Sequence, residues 1–419
     1  MSPLSSQGVS DPAVANGRPP HDRHPSAALP SRNEAWNAYL SASRPLPSSP
    51  EWRRTDYSAL GLDRLDDSGR RPDPDEFELS IVAPPEVSIL SLEAALSDAR
   101  FAAQARRVLE ADPVGSYAKI ESLSRALAAK DMLVFIPRAA ADSETVVRIT
   151  ARSSDGFAFP RFSIFAAPES RAIVLEEHVG APSDGPSASR TPTVVSFSSL
   201  FLGAGAGVKH FYLQDLPMAS RAFWRQTVEI ESRATLAHAS LLLGGALHKS
   251  DLAVRLRGTG AGASLWGALM GSGTQKFDFH SRQIHDAPKT QSRLLFNAAL
   301  KDRARAVYTG LIRIEKKAGD SDAYQENHNL LLSDSARSDT TPLLEILTDS
   351  VRCKHGATAG APDPEELFYV ESRGLSPQEA EETLVMGFFS PLLGQIHSSE
   401  LAGRLEDRVA QKLREGAFP

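Results

Sequence analysis

The chain carries a single cysteine, Cys353, two residues before His355 in the stretch Val351-Arg352-Cys353-Lys354-His355-Gly356-Ala357-Thr358. In an extended strand, residues two apart project from the same face. A thiolate and an imidazole side by side are competent ligands for a soft transition metal. Two ligands do not close a site, and a chain with one thiol cannot hold a four-thiolate iron–sulfur cluster. If this pair handles metal, a second chain must supply the remaining ligands. The competing readings are an inert buried thiol and a Cys–His nucleophile, which needs the imidazole within hydrogen-bond reach of sulfur. Same-face neighbours start ~6.5 Å apart at the backbone, so contact is not automatic.

Other candidate motifs are weaker. Leu243-Gly244-Gly245-Ala246-Leu247-His248-Lys249-Ser250 has the outline of a phosphate-binding loop, but His248 stands where glycine must precede the lysine. ATP hydrolysis by this chain is therefore not expected. Gly258-Thr259-Gly260 lies between strand-like runs with Ala263 at the third glycine position, so it reads as a tight corner rather than a dinucleotide fingerprint. His280 and His285 have an odd separation, which sends them to opposite faces of a regular strand. Structural hydrogen bonds suit them better than a shared metal. Asn327 and Asn329 read as asparagines satisfying turn backbone at the corners of a solenoid.

The elements that must position these residues change character along the chain. Residues 1–32 are rich in Ser, Pro, Gly and Asp and read as a disordered tail. Residues 33–130 read as a mainly helical domain. Leu92, Ala95, Leu96, Ala99, Ala103 and Leu109 recur at helical spacing, which predicts a helix over Leu90–Glu110 that Asp112-Pro113 stops. A second helix is predicted over Tyr117–Ala129. From Met132 the period becomes two. Short strand-like runs follow one another to Val351, punctuated by Gly, Asn, Asp and Pro. The absence of helical pattern between them excludes a βαβ architecture. Their number exceeds the load of one sandwich, and the short small-residue spacers suit corners between stacked rungs. Residues 131–361 are thus expected to form a β-helix core, with helical flanks as caps, although no clean period is visible.

Helix chemistry returns over residues 362–419. Asp363 is a good N-cap, Pro364 a good first residue, and Glu365 and Glu366 favour the positive end of the dipole. Arg373-Gly374 ends that helix, and Ser376-Pro377-Gln378-Glu379 opens another as a capping box. Leu384, Phe388, Leu392 and Ile396 recur every four residues as an apolar stripe, and Phe388-Phe389 exceed the apolar surface that a small cap needs to bury. Leu384, Phe388, Phe389 and Leu392 are accordingly candidates for docking a partner.

Composition narrows the class. The chain has 419 residues, 41% apolar and 23% charged, with a formal net charge of -6 and a pI near 6.0. It is large enough for a sizeable core. Its acidic balance argues against nucleic acid as partner. No apolar run approaches the ~18 residues of a membrane span. One cysteine excludes an internal disulfide framework and fits a reducing compartment, and no secretory apolar region opens the chain, so a cytoplasmic location is expected.

The run Asp278–Ile396 closely resembles the SufB/SufD family, scaffold subunits of the SUF iron–sulfur cluster assembly machinery. The resemblance rests on His280–Pro288, Tyr308-Thr309-Gly310, Asp322-Ala323-Tyr324-Gln325-Glu326-Asn327, Asn329–Asp334, Pro342–Ile346, Val351–Thr358, Glu366–Tyr369, Ser372-Arg373-Gly374 and Gly387-Phe388. Weaker similarity reaches upstream to Trp52–Asp56, Phe135-Ile136-Pro137 and Gly244-Gly245. The Cys-x-His-Gly-Ala-Thr form and the lack of a second cysteine resemble the SufD branch. The resemblance implies a right-handed parallel β-helix with helical domains at both ends. It implies a complex with a SufB-like subunit and a SufC-like ATPase, the latter docked by the C-terminal helices. It places Cys353 and His355 at the junction of the two scaffold subunits, with His355 as a ligand of a transient, shared iron–sulfur cluster and Cys353 as an auxiliary thiol. Arg352 and Lys354 depart from the family pattern and are expected to favour the Cys353 thiolate. Flavin binding and pairing of two copies in isolation are left open. The expected function is a non-catalytic scaffold. The competing functions are a purely structural subunit and a β-helix metal or carbohydrate enzyme, for which no ladder of convergent carboxylates is visible.

Overall fold

The computed structural model describes residues 29–68, 77–110, 117–129, 131–138, 143–153, 156–180, 192–394 and 399–414. Most of the expected tail, and Ile396 of the expected stripe, lie outside these residues. The expected β-helix with helical flanks is what the chain forms: strands wind alternately into two long sheets. Among the described residues the first sheet runs from Phe77–Val82 through Thr145–Ser153, Arg171–Gly180, Gly207–Asp215, Thr235–Leu242, Gly262–Gly271, Gln291–Leu300 and Ser321–Leu331 to Val351–Gly360. The second runs from Ser88–Ser91 through Asp131–Ile136, Arg161–Ala166, Thr193–Leu202, Arg221–Ile230, Leu247–Leu256, Lys276–His285 and Arg305–Ile314 to Arg337–Ile346. Pairing is parallel except at the first strand of each sheet, which is antiparallel to its neighbour. Equivalent rung positions in the second sheet, Thr193, Arg221, Leu247, Lys276, Arg305 and Arg337, are unequally spaced. That is why no period shows in the sequence.

Alternate side chains fill the lumen between the sheets. Val208 stacks on Leu236 and Leu265 on Leu294 in one sheet, and Ile164, Leu200, Val228 and Val254 stack in the other, within one buried cluster. Each such aliphatic side chain contributes about 1.5–3 kcal/mol relative to exposure. Corners between rungs need tight backbone. Gly258 sits so close to the Ser232 backbone that a Cβ would collide with it, and Gly260 takes a left-handed φ of +70°. Only glycine fits the close approach at Gly258, whereas the left-handed corner is held by Arg233 and Lys289 in the neighbouring rungs.

The outer faces are covered separately. Trp36, Tyr39, Trp52, Tyr57, Tyr117 and Ile120 of the N-terminal segment pack on Phe197 and Phe223 of the second sheet. Val385, Phe389, Leu392, Val409 and Leu413 of the C-terminal helices pack on Phe211, Leu213, Leu241 and Met270 of the first. No helix among the described residues is long and apolar enough to cross a membrane.

Several expectations change. The predicted helix over Leu90–Glu110 is a strand, Ser88–Ser91, followed by helices Leu92–Ser97 and Ala102–Glu110. Ser91 caps the first helix through the Ala94 N–H, and Asp98 ends it in extended conformation while accepting from Arg100. Asn327 and Asn329 lie within the strand Ser321–Leu331 rather than at a corner. The last strand continues from Val351 to Gly360.

Candidate functional site

Cys353 and His355 lie on Val351–Gly360, the last strand of the first sheet. Its inner neighbour, Ser321–Leu331, alternates strictly between buried and half-buried residues, with Ala323, Gln325, Asn327 and Asn329 turned into the lumen. The parallel register sets Cys353 beside Ala323 and His355 beside Gln325. Both candidate ligands therefore share the lumen side of the sheet, at its open end. Cys353 is half-buried against the cluster of Ile312, Ile314, Ala318 and Ala323, whereas His355 is exposed. Among the described residues, neither this strand nor Arg337–Ile346, which ends the second sheet, has a partner on its outer edge. Leu343, Ile346 and Leu347 are exposed beside it, at 42, 41 and 50%. Unpaired strand edges with apolar flanks template pairing with another chain.

The charges around Cys353 run against the expected thiolate. Arg352 and Lys354 sit on the opposite, outward face, beside Asp322 and Tyr324. Asp322 is held below the usual carboxylate range by its hydrogen bonds from Arg293, with charge from Arg293, Arg352 and Lys354 adding to this. Burial, and then the Asp322 carboxylate, push the Cys353 thiol up. The two cations serve Asp322 and leave Cys353 protonated. Among the described residues no group of three or more His, Cys, Asp and Glu side chains is placed to hold a metal ion. Cys353 and His355 are at most a partial ligand set within one chain.

The four docking candidates divide. Phe389 and Leu392 are buried against the chain's own first sheet, so they are not free for a partner. Leu384 and Phe388 are half-buried, and the Phe388 carbonyl accepts from Asn297 Nδ2 at 2.8 Å. The inward face is Ala380, Val385, Phe389 and Leu392. A strict four-residue spacing drifts around a helix of 3.6 residues per turn, so the sequence stripe meets the inward face only at Leu392. Lys412 ties the last helix down by donating to the Met270 carbonyl at 2.6 Å and Gln275 Oε1 at 2.8 Å.

The apolar surface that stays free lies one helix earlier. Helix Pro364–Ser372 buries none of its residues, and Phe368 and Tyr369 are 72 and 58% exposed. Leu367 and Glu371 of the same helix line a cleft of about 880 Å³ together with Lys301, Leu332, Arg337 and Leu413 among others. The signal was Leu367-Phe368-Tyr369 in so short a helix: three adjacent apolar residues cannot all face one side.

His280 and His285 have separate structural roles. His280 Nε2 contacts Asp278 Oδ1 at 2.9 Å on the outer face, while His285 bonds Thr290 and Ser292 in the lumen. Sequence reasoning missed the buried charges beneath the N-terminal segment. Lys249 donates to Asp278 at 2.8 Å, Thr55 to the same carboxylate at 2.6 Å, and Tyr117 to Asp251 at 2.8 Å. They pin that segment to the solenoid.

These features define a parallel β-solenoid whose terminal rung is open at its edge and carries Cys353 and His355 on its lumen side. The family model for the SUF system FeS cluster assembly SufBD core domain matches residues 147–388, more than half the chain. The chain belongs to the SufB/SufD family and is SufD-like. It is 31% identical over 216 residues to the iron–sulfur cluster assembly protein SufD of Escherichia coli K12, covering 52% of this chain and 51% of that protein. It is 30% identical over 165 residues to SufD of Bacillus subtilis, covering 39% of this chain and 38% of that one. SufB of Bacillus subtilis is 34% identical over 167 residues, or 40% of this chain and 36% of its own length. The chain thus spans about half or less of the length of these curated relatives.

Proposed function

We propose that this chain is a SUF iron–sulfur assembly subunit, a scaffold and not an enzyme. The observation that carries this reading is the exposed terminal rung that bears Cys353 and His355 on its lumen side. A SufB-like subunit joins this rung by strand pairing and supplies the missing ligands. The nascent iron–sulfur cluster is cargo shared across that junction, with His355 as ligand and Cys353 as auxiliary thiol. A SufC-like ATPase docks on the C-terminal helices and supplies nucleotide hydrolysis, since this chain has no phosphate-binding loop. Phe368 and Tyr369 are the anchors for it, with the free edges of Leu384 and Phe388. The role of these relatives in iron–sulfur cluster assembly supports the same reading.

The test is reconstitution with candidate SufB-like and SufC-like proteins, followed by iron and sulfide analysis. His355→Ala should leave the complex assembled and reduce cluster yield. Unchanged yield would remove His355 from the mechanism. Failure of the wild-type chain to capture either partner would end the scaffold reading.

A further inference from the structure

The strand that carries Cys353 and His355 is poorly fixed by its own side chains. Val351 and Cys353 pack against a buried cluster. The second half, Gly356-Ala357-Thr358-Ala359-Gly360, is small, and residues 357–360 are exposed. Among the described residues, Ser321–Leu331 is its sole neighbour in the sheet. Register is weakly specified in strands with so little apolar pattern, and a slip of one residue moves every side chain to the other face. Such a slip would turn Cys353 and His355 outward and bring Arg352 and Lys354 into the lumen.

Polar contacts grip this strand at both ends. At its start, the Asp320 N–H donates to the Ser350 carbonyl at 2.7 Å, and the Ser350 hydroxyl donates to Asp320 Oδ1 at 2.8 Å. At the far end, Asn329 Nδ2 donates to the Thr358 carbonyl at 3.0 Å from the lumen side. On the outer face, Thr358 Oγ1 lies 2.7 Å from His328 Nδ1. The far grip is itself anchored. Asn329 Nδ2 also donates to Asn327 Oδ1 at 2.7 Å, and the Thr340 hydroxyl of the second sheet donates to the same oxygen at 2.6 Å. Asn327 Nδ2 donates to the Phe296 carbonyl, one rung further in, at 2.9 Å.

We propose that Ser350, Asn329 and Thr358 are positioning residues, which lock the register of the terminal strand so that Cys353 and His355 face the lumen before any partner arrives. The sequence makes both grips specific. Ala357 and Ala359 flank Thr358, and Asp349 and Val351 flank Ser350. After a slip of one residue, no hydroxyl would stand opposite His328 or Asp320. After a slip of two, Gly356 or Gly360 would face His328. Side-chain hydrogen bonds thus replace the apolar pattern that sets register in the inner rungs. The lock serves a shared cluster only if the scaffold reading holds, whereas its geometry belongs to this chain alone.

The experiment uses the full chain, in which Cys353 is the sole thiol. Alkylation of Cys353 at fixed pH and amide exchange across Val351–Gly360 report the lock with no partner present. Thr358→Val and Asn329→Leu should each quicken both by about fivefold, the effect of one net hydrogen bond. Thr358→Ser, which keeps the hydroxyl, should stay close to the wild type. Exchange in Thr193–Leu202 should not change in any variant, which separates the lock from a general loss of stability. Wild-type rates in Thr358→Val, or equal acceleration in Thr358→Ser, would overturn the proposal. Because the isolated chain is measured, that failure is distinct from failure of the scaffold reading, which shows only when the wild type captures no partner. In the complex reconstituted with a SufB-like protein, Thr358→Val should lower cluster yield and Thr358→Ser should not. Equal yields would overturn the positioning role. Where Asn329→Leu does not fold, the exposed Thr358 pair decides.

Discussion

Asp322 is clamped by Arg293 from the neighbouring strand, with Nη1 and Nη2 at 3.0 and 2.9 Å from its two carboxylate oxygens. The ladder also sets Asp322 beside Arg352, so the outward face of the terminal rung is an ion cluster centred on this carboxylate. Its charge reaches Cys353 from behind and adds to burial in favouring the thiol. At pH 7 the thiolate is then the minor species. Iodoacetamide should therefore modify Cys353 of the isolated chain slowly at pH 7. The rate should rise about tenfold per pH unit, since only the thiolate reacts. Asp322→Asn should speed the reaction at fixed pH. Fast modification at pH 7, unchanged by that substitution, would show that Arg352 and Lys354 activate the sulfur after all.

Acid should attack the fold through the lumen. Burial alone would raise the Glu176 carboxyl, but hydrogen bonds and charge from His178 and His210 outweigh it and bring it down to about 2, from 4.5. A carboxyl depressed in the folded state stabilises it above the unfolded value, and that contribution disappears as pH falls through the folded value. The window is therefore about pH 4.5 down to 2, and the contribution at stake is roughly 3 kcal/mol. Denaturant unfolding at pH 6 and pH 3 should show a steep loss in the wild type. Glu176→Gln should flatten that part of the profile while costing stability at pH 6. An identical acid slope in both proteins would assign acid sensitivity to other carboxyls.

The strand series was legible because apolar residues alternate through most rungs. Where the lumen turns polar, that signal fails. In Ser321–Leu331 the inward residues include Gln325, Asn327 and Asn329, so apolar character returns only at its end, in Leu330 and Leu331. The ligand pair was legible because Cys353 and His355 share a face in any extended strand. Their position at an open edge depends on which rung is last, which no local pattern encodes. The N-terminal attachment was not legible either. Thr55 and Asp278 meet across 223 positions, and neither residue announces its partner.

Gly267 carries a packing requirement for the same region. A Cβ there would collide with the Phe296 ring. That ring stacks with Phe279 at 4.6 Å and Tyr308 at 5.4 Å between centroids, forming the aromatic block behind the terminal rung. Gly267→Ala must push Phe296 out of this stack, and overpacking of this kind costs about 1–3 kcal/mol. The variant should melt lower with its fold intact. It should also loosen the rungs beyond Phe296, visible as faster amide exchange in Ser321–Leu331 than in Thr193–Leu202. Uniform exchange changes would show that the aromatic block does not specifically support the terminal rung.

Two phenylalanines on successive helices should separate stability from recognition. Phe389 is fully buried against the first sheet, whereas Phe368 is 72% exposed. Removing a buried phenyl ring leaves a cavity and costs about 3–5 kcal/mol. Removing an exposed one usually changes stability by no more than about 0.5 kcal/mol. Phe389→Ala should therefore lower the unfolding midpoint sharply and weaken partner binding only as the C-terminal helices detach. Phe368→Ala, alone or with Tyr369→Ala, should leave the midpoint in place. It should weaken capture of the SufC-like ATPase by about tenfold or more, because an aromatic anchor at an interface is commonly worth 2 kcal/mol or above. Calorimetric unfolding and a titration with the ATPase, run on the same preparations, separate the two effects. Undiminished capture by the Phe368/Tyr369 double variant would move the docking surface off helix Pro364–Ser372 and back to the free edges of Leu384 and Phe388.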